Sequence, residues 1–477
     1  MASEWETVIG LEVHVELAST TKLFCGCLNR FGDEPNTNVC PVCLGLPGSL
    51  PVLNERVVEL SMRLGRALGC EVRRSVFARK NYFYPDMPKD YQISQYDLPI
   101  NVEGSLELPS RRRIGIERAH IEEDTGKSTH VGGGGRITEA GYSLVDYNRA
   151  GVPLLEIVSK PDLRSADEAR AYVTELRAML LAVGASDAKM EEGSLRVDAN
   201  VSVHHPGEPY GTRCEIKNVN SLRSLGRAID YEVRRQIELT ESGEAVRQET
   251  RHWNEDDGRT HTMRSKEEAE DYRYFPEPDL VPLDPGAEWV ARVDAALPAL
   301  PAARRAALAE AAGLTTTDGP VAIAVARDLD ALARAAIDAG AEPVRVLTHV
   351  EHNLAVDGAE RLDPARLAAL VKMETSDELT ATQAKAVLAE MVASGDDPAD
   401  IAAAKGFEAL GADALGAVVD EVIAANAAEW SRYVDGDDKA RGKLTGYFVG
   451  QVMRATKGQA DGKAVTALLR ERAASAG

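Results

Sequence analysis

Four of the chain's six cysteines fall between Cys25 and Cys43, spaced as C-x-C, twelve intervening residues and C-x-x-C. Two short pairs joined by a loop supply four soft donors, the tetrahedral set that zinc takes, and a full set leaves no position open for water. Cys25, Cys27, Cys40 and Cys43 are therefore expected to hold a structural Zn2+, against the alternative of reduced, unligated thiols. A redox C-x-x-C calls for a βαβ context that this stretch lacks, and no base beside it marks a nucleophile.

Carboxylates are the second resource. In "VIGLEVHVEL", Ile9, Leu11, Val13, Val15 and Leu17 share one face of a strand and leave Glu12, His14 and Glu16 on the other. In "SLRVDANVSV" the apolar set is Leu195, Val197, Val201 and Val203, opposite Arg196, Asp198, Asn200 and Ser202. "CEIKNVN" puts Glu215 and Lys217 on one face. "HIEEDTGKS" adds Glu122, Glu123 and Asp124, and its pattern does not say which of them points inward. Acids offered by several strands, with one histidine, could converge on hard divalent cations. The competing reading is the solvated face of an antiparallel sheet, where charge belongs anyway.

"GKST" at Gly126–Thr129 does not make a P-loop, because the required upstream glycine is Ile121. A nucleotide would have to be held through metal and carboxylates instead. "RKNYFYPDMPKDYQISQYD" sets five aromatics around Lys80 and Lys89. These lysines could meet anionic substrate groups; the plainer reading is an aromatic loop packed over a core.

The elements that must position these groups can be read from the rest of the chain. Its 477 residues suggest roughly three domains. Hydrophobic content of 44% with 27% charge describes a globular protein, and no apolar run reaches the roughly 18 residues of a membrane span. The N-terminus lacks the basic and apolar regions of a secretion signal, so a reducing, cytoplasmic setting is expected. Strand-like alternation fills the first part, up to the four prolines of "FPEPDLVPLDPG" (Phe275–Gly286). Residues 301–400 then contain no Phe, Tyr or Trp and are rich in alanine, which predicts a helical domain, and a second helical module follows "ASGDDPAD". One early helix is well signalled: Ser165 and Glu168 form a capping box, Val173, Leu176, Leu180 and Val183 make its stripe, and Gly184 closes it. "GGGG" at Gly132–Gly135 reads as a loop tip. The net charge of −21 disfavours general nucleic-acid binding. Against it, residues 441–477 carry seven Lys and Arg opposed only by Asp461 and Glu471, a local +5 that suits RNA or merely a solvated helix face.

Together, "VIGLEVHVEL", "RKNYFYPDMPKDYQISQ", "HIEEDTGKSTH", "DYNRAGVPLLEIVS", "KMEEGSLRVDANVSV", "EIKNVNS" and "DYRYFPEPDL" resemble the GatB family, the B components of the aspartyl/glutamyl-tRNA(Asn/Gln) amidotransferases. "LTGYFVGQVMRATKGQAD" (Leu444–Asp461) is similar to that family's C-terminal tail, so the resemblance spans nearly the whole chain. It implies an α+β fold: an antiparallel-sheet cradle with a glutamine-synthetase-like active site over residues 1–295, an all-helical domain over 296–405, and a small helical tail over 406–477 that touches tRNA.

The implied reaction is ATP-dependent phosphorylation of the side-chain carboxylate on Glu-tRNA(Gln) or Asp-tRNA(Asn), then amidation with ammonia. The resemblance places catalytic positions at Glu12, His14, Glu123, Asp198, Glu215, Lys80 and Lys89. Mg2+ would fall on Glu12, His14, Glu123 and Glu215, and further motif positions on Glu156, Arg196, Asn200 and Lys217. The four cysteines match a zinc knuckle that only some members keep. No glutaminase constellation is visible, so ammonia is expected from an amidase-like glutaminase (the A component), with a small C component completing a heterotrimer. A freestanding ligase for a small acid would leave the basic tail unexplained. A non-catalytic RNA scaffold would not need Glu12, Glu123 or Glu215.

Overall fold

The computed structural model describes residues 5–132, 140–265, 272–407, 412–436, 438–456, 460 and 462–476. Most of the expected glycine tip (133–135), Lys457 and Asp461 lie outside them. Contacts divide the chain into two units, Met1–Pro301 and Ala302–Gly477. Buried apolar side chains form three clusters, the first running from Ile9 to Val293, the second from Leu308 to Ala402 and the third from Leu415 to Leu469. Among the described residues, no helix is long and apolar enough to cross a membrane.

The first unit is α+β. Its strands are β1 (Glu6–Glu16), β2 (Glu71–Val72), β3 (Val76–Asn81), β4 (Tyr91–Leu98), β5 (Asn101–Glu107), β6 (Arg113–Glu123), β7 (Lys127–Val131), β8 (Tyr142–Asp146), β9 (Pro153–Ser159), β10 (Leu195–His204), β11 (Cys214–Val219), β12 (Glu249–Asn254), β13 (Arg259–Ser265) and β14 (Phe275–Pro276). The large sheet runs β13-β12-β11-β10-β1-β9-β6-β4-β3-β14, with β5 beside β6 and β2, while β7 and β8 form a separate hairpin. Pairing is antiparallel except between β11 and β12. A parallel pair needs a crossover, and one is supplied by the helix Leu222–Glu241, α3 below.

Helices cover one face of this sheet. They are α1 (Glu55–Ala67), α2 (Ala166–Ala182) and α3 (Leu222–Glu241); α3 packs on β10 and α1 on β5 and β6. Strict alternation makes that possible: Ile9, Leu11, Val13 and Val15 of β1 are fully buried, and so are Ala199 and Val201 of β10. The same alternation turns Glu12, His14 and Glu16 to the other face, which the helices leave uncovered. The α2 cap forms as its sequence asks on one side only. Ser165 Oγ accepts from Glu168 N–H at 3.1 Å, but Glu168 reaches one residue further back, accepting from Arg164 N–H, and also pairs with Arg112.

The second unit is helical throughout its described residues. In it, the helices Pro343–His352 and Pro364–Thr375 are joined by Glu374, which pairs with Arg345 and accepts from fully buried His349 at 2.8 Å. Burial alone would raise the Glu374 carboxyl, but His349 and Arg345 outweigh it and hold the group down at about 2. A depressed carboxyl contributes stability above its unfolded value of roughly 4.5 and loses that contribution as pH falls through the folded one. Glu374→Gln is thus expected to speed amide hydrogen exchange across both helices at pH 7. The loss should be on the order of 2 kcal/mol and fade as both proteins approach pH 2.

Candidate active site

Register builds the site row by row. Across β10, β1, β9 and β6, Arg196 lies opposite His14, His14 opposite Glu156, and Glu156 opposite His120. One step along, Asp198 faces Glu12, and a step further Glu215 of β11 faces Asn200. Residues paired across antiparallel strands point to the same side with Cβ atoms about 5 Å apart, so these charged groups converge without any loop to place them. All of them but Asn200 line a groove of about 660 Å³ together with Lys80, Glu122, Asp124 and Lys217.

Two bulges tune the rows. Between Val197 and Ala199 of β10, β11 places two residues opposite one, with Asn218 in the left-handed region at φ 63°. Lys217 is thereby aimed into the groove, where its Nζ reaches Asp198 at 2.8 Å and Glu215 at 3.3 Å. Burial opposes the Lys217 charge, yet Asp198 and Glu215 more than compensate and lift its pKa well above the usual lysine range. Glu215 also accepts from Thr250 Oγ1–H at 2.8 Å, and Glu12 accepts from Asn200 at 3.0 Å.

The second bulge, at Glu117 of β6, changes which residues face the core. Before it Ile114 and Ile116 are buried; after it Ala119 and Ile121 are. Arg118, His120 and Glu122 consequently face the groove, and Glu123 turns to the core side. The most compact group of oxygen and nitrogen donors differs from the expected magnesium set. The compact group of donors is His14, Glu122 and Glu156, whose ligand atoms all lie within 4.8 Å of one another. His14 Nε2 is 3.7 Å from Glu122 and 3.9 Å from Glu156, while His120 Nε2 stands 3.3 Å from Glu156. Of the four residues expected to hold magnesium, only His14 belongs to it; Glu12 and Glu215 line the same groove, engaged with Asn200, Lys217 and Thr250. Burial, then Glu156, raises the Glu122 carboxyl, whereas Glu156 is held low by His120, His14 and Lys80 despite its own burial.

Glu123 and Lys89 are found elsewhere. Lys89 Nζ contacts both Glu123 oxygens, at 2.7 and 2.5 Å, and Glu123 also accepts from Ile93 N–H. The pair sits in a second cavity of about 160 Å³, lined also by Cys25, Cys43, Gly45 and Gly151. Lys80, by contrast, stays in the main groove with its ammonium 4.4 Å above the Tyr272 ring. Tyr96 and Tyr274 stack beside it at 4.9 Å, and Arg118 lies 5.2 Å over Tyr96. This aromatic wall and His120 escaped sequence reasoning. The stretches 91–98 and 272–274 are far apart in the chain, and only pairing of β14 to β3 and β3 to β4 brings them together. Arg196 bonds Asp124 at 2.8 Å, which holds its guanidinium at the end of the groove.

Cys25, Cys27, Cys40 and Cys43 converge as expected, with all four sulfurs within 4.8 Å of one another and none in a disulfide. Tetrahedral zinc–thiolate bonds of about 2.3 Å put sulfurs roughly 3.8 Å apart, so the donor set fits that ion. The hydrogen bond from Cys25 is the largest influence drawing the Cys43 thiol down to about 5, and Lys22 adds to it.

An α+β catalytic domain with a carboxylate-lined groove, followed by a helical region, is the class that this fold and site define. Residues 7–291 match the family described as the GatB/GatE catalytic domain, and residues 346–472 the family described as the GatB domain. The chain is 49% identical to the B component of an aspartyl/glutamyl-tRNA(Asn/Gln) amidotransferase from Anaeromyxobacter sp. (strain Fw109-5), over 98% of this chain and 99% of that protein. It is 50% identical to proteins of the same description from Salinispora arenicola (99% and 97% covered) and Moorella thermoacetica (98% and 100%). The chain belongs to the GatB family, the B components of aspartyl/glutamyl-tRNA(Asn/Gln) amidotransferases.

Proposed function

We propose that this chain uses ATP to phosphorylate the side-chain carboxylate of Glu-tRNA(Gln), of Asp-tRNA(Asn), or of both, and then amidates it with ammonia. Ammonia cannot displace an oxide from a carboxylate. Moving the γ-phosphoryl of ATP onto that oxygen turns the leaving group into phosphate, and attack by nitrogen then gives the amide. Such a transfer asks for positioning and charge neutralisation above all. The observation that carries the reading is the convergence of His14, Glu122 and Glu156 in one groove with Lys80, Arg196 and Lys217. Mg2+ held by the first three would neutralise phosphate charge. Lys80 and Lys217 supply fixed positive charge facing the same space, and Asp198 and Glu215 keep Lys217 protonated and aimed.

Ammonia is proposed to come from an amidase-like glutaminase, the A component, with a small C component completing the heterotrimer. The cavity holding Lys89 and Glu123 is the candidate place for its arrival, since it is small and encloses a buried ion pair. We assign residues 1–295 to the cradle, 296–405 to the helical domain and 406–477 to the tRNA-contacting tail, and we place the assembly in the cytoplasm. Mixing this chain with both partners, ATP, glutamine and each misacylated tRNA should form the amide, and amide formed equally well without ATP would refute the reading.

In the tail, Arg472 is committed to Asp420, and Arg441 to the carbonyls of Tyr433 and Val434. Lys443, Arg454, Lys463 and Arg470 are exposed and among the described residues make no ion pair. Changing these four to alanine should weaken tRNA binding roughly tenfold or more and flatten its salt dependence, by about one in the log–log slope for each phosphate no longer neutralised. Binding by filter retention across a salt series measures both; an unchanged slope would remove the tail from the interface.

A further inference from the structure

Lys22 has no exposed surface. Its ammonium donates to the carbonyls of Asn38, at 2.8 Å, and Tyr147, at 3.3 Å, and among the described residues no carboxylate lies within 4.0 Å of it. A fully buried cation with only carbonyl partners is costly unless negative charge stands close by. The cysteine cluster beside it can provide that charge. Lys22 N–H donates to the Cys27 carbonyl at 3.0 Å, and Asn38 belongs to the loop between the two cysteine pairs. Around Gly151, the space a side chain would fill is bounded by Cys43 Cβ, Lys22 Cδ and Glu123 Oε1 at 3.6 to 3.8 Å, so these groups share one small volume. Glu123 in that volume is already taken up by Lys89.

We infer that Lys22 is the built-in counter-ion of a zinc tetrathiolate at Cys25, Cys27, Cys40 and Cys43, its buried charge offsetting that of the metal centre. Four thiolates around one Zn2+ carry a net charge of −2. A dianion embedded beside half-buried walls is stabilised by a fixed cation that also ties down the loop carrying its ligands. The dependence runs both ways. With zinc bound, Lys22 supports the centre; with zinc removed, the dianion that its buried charge offsets is gone. The inference rests on the reading of the cysteines as a zinc site.

The test uses the full chain. Zinc is first counted by elemental analysis; less than about half an ion per chain in protein purified without chelator would overturn the zinc reading and this inference with it. Zinc release to the chromogenic chelator 4-(2-pyridylazo)resorcinol is then timed for the wild type, Lys22→Met and Lys22→Arg. Loss of a group supporting a metal centre typically weakens it about 10- to 100-fold, so Lys22→Met should release zinc faster by a factor in that range. Lys22→Arg keeps the charge and should stay within a few-fold of the wild type, which separates charge from packing. The second readout is thermal stability with and without zinc: Lys22→Met should lower the melting temperature of the zinc form by clearly more than that of the stripped form. A variant that melts lower by the same amount in both forms, or zinc release unaltered by removing the charge, overturns the inference while leaving the zinc count standing.

Discussion

Glu122→Gln is expected to lower ATP-dependent amidation of the misacylated tRNA by about a hundredfold or more, and His14→Ala to do the same. Both residues belong to the compact donor group with Glu156. Removing a preorganised group that stabilises transferred charge costs about 10²–10³ in rate. The measurement is single-turnover amide formation by the assembled enzyme with saturating ATP, with Glu107→Gln as the control. Glu107 is a surface residue whose ion pairs, among the described residues, are with Arg111 and Arg113, and its loss should leave the rate unchanged. The comparison with Glu123 is the informative one. If Glu123, rather than Glu122, shared the groove with His14, Glu122→Gln would keep near-normal rates and the parity of β6 would have no functional meaning.

Breaking the Lys89–Glu123 pair gives the second large effect, and it appears first in stability. Both side chains are nearly buried, at 8% and 3% exposure. Taking away one partner of such a pair costs about 3–5 kcal/mol because the other is left charged in a poor solvent, whereas replacing both costs far less. Lys89→Met should therefore lower the urea midpoint of the cradle unit sharply, and Lys89→Met combined with Glu123→Gln should restore most of it. If the pair also serves delivery of ammonia, the restored double variant will remain slow with glutamine as nitrogen donor. Equal destabilisation by the single and double variants would show that the charge pair is not what the cavity depends on.

Much of this site was legible because most of its strands alternate without interruption. Glu12 and His14 on β1, and Arg196, Asp198 and Asn200 on β10, face where their apolar neighbours say they must. Strand β6 was not legible in that way. Counting from Ile114 and Ile116 would send Glu122 to the core and Glu123 to the groove; the extra residue at Glu117 reverses both, and a bulge of that kind has no signature in the residue types themselves. His120 carried a signal that could have been used, lying two residues before Glu122 and so on its face. The aromatic wall and Thr250 depend on long-range pairing of β14, β3, β4, β11 and β12, which composition and periodicity do not encode. The cysteine cluster was readable from spacing because four thiols on one short loop have few other ways to be satisfied. Lys22 was not, since a lysine's burial is invisible until the fold closes over it.

The chemistry proposed for the groove stands or falls on one step, conversion of a carboxylate into an acyl phosphate before nitrogen arrives. Glu-tRNA(Gln) or Asp-tRNA(Asn) carrying 18O in both side-chain carboxylate oxygens, turned over by the assembled enzyme with unlabelled ATP, tests it directly. One 18O atom should appear in the inorganic phosphate for every amide made, and both products should be lost together in Glu122→Gln. Amide formed with no label in the phosphate would contradict it.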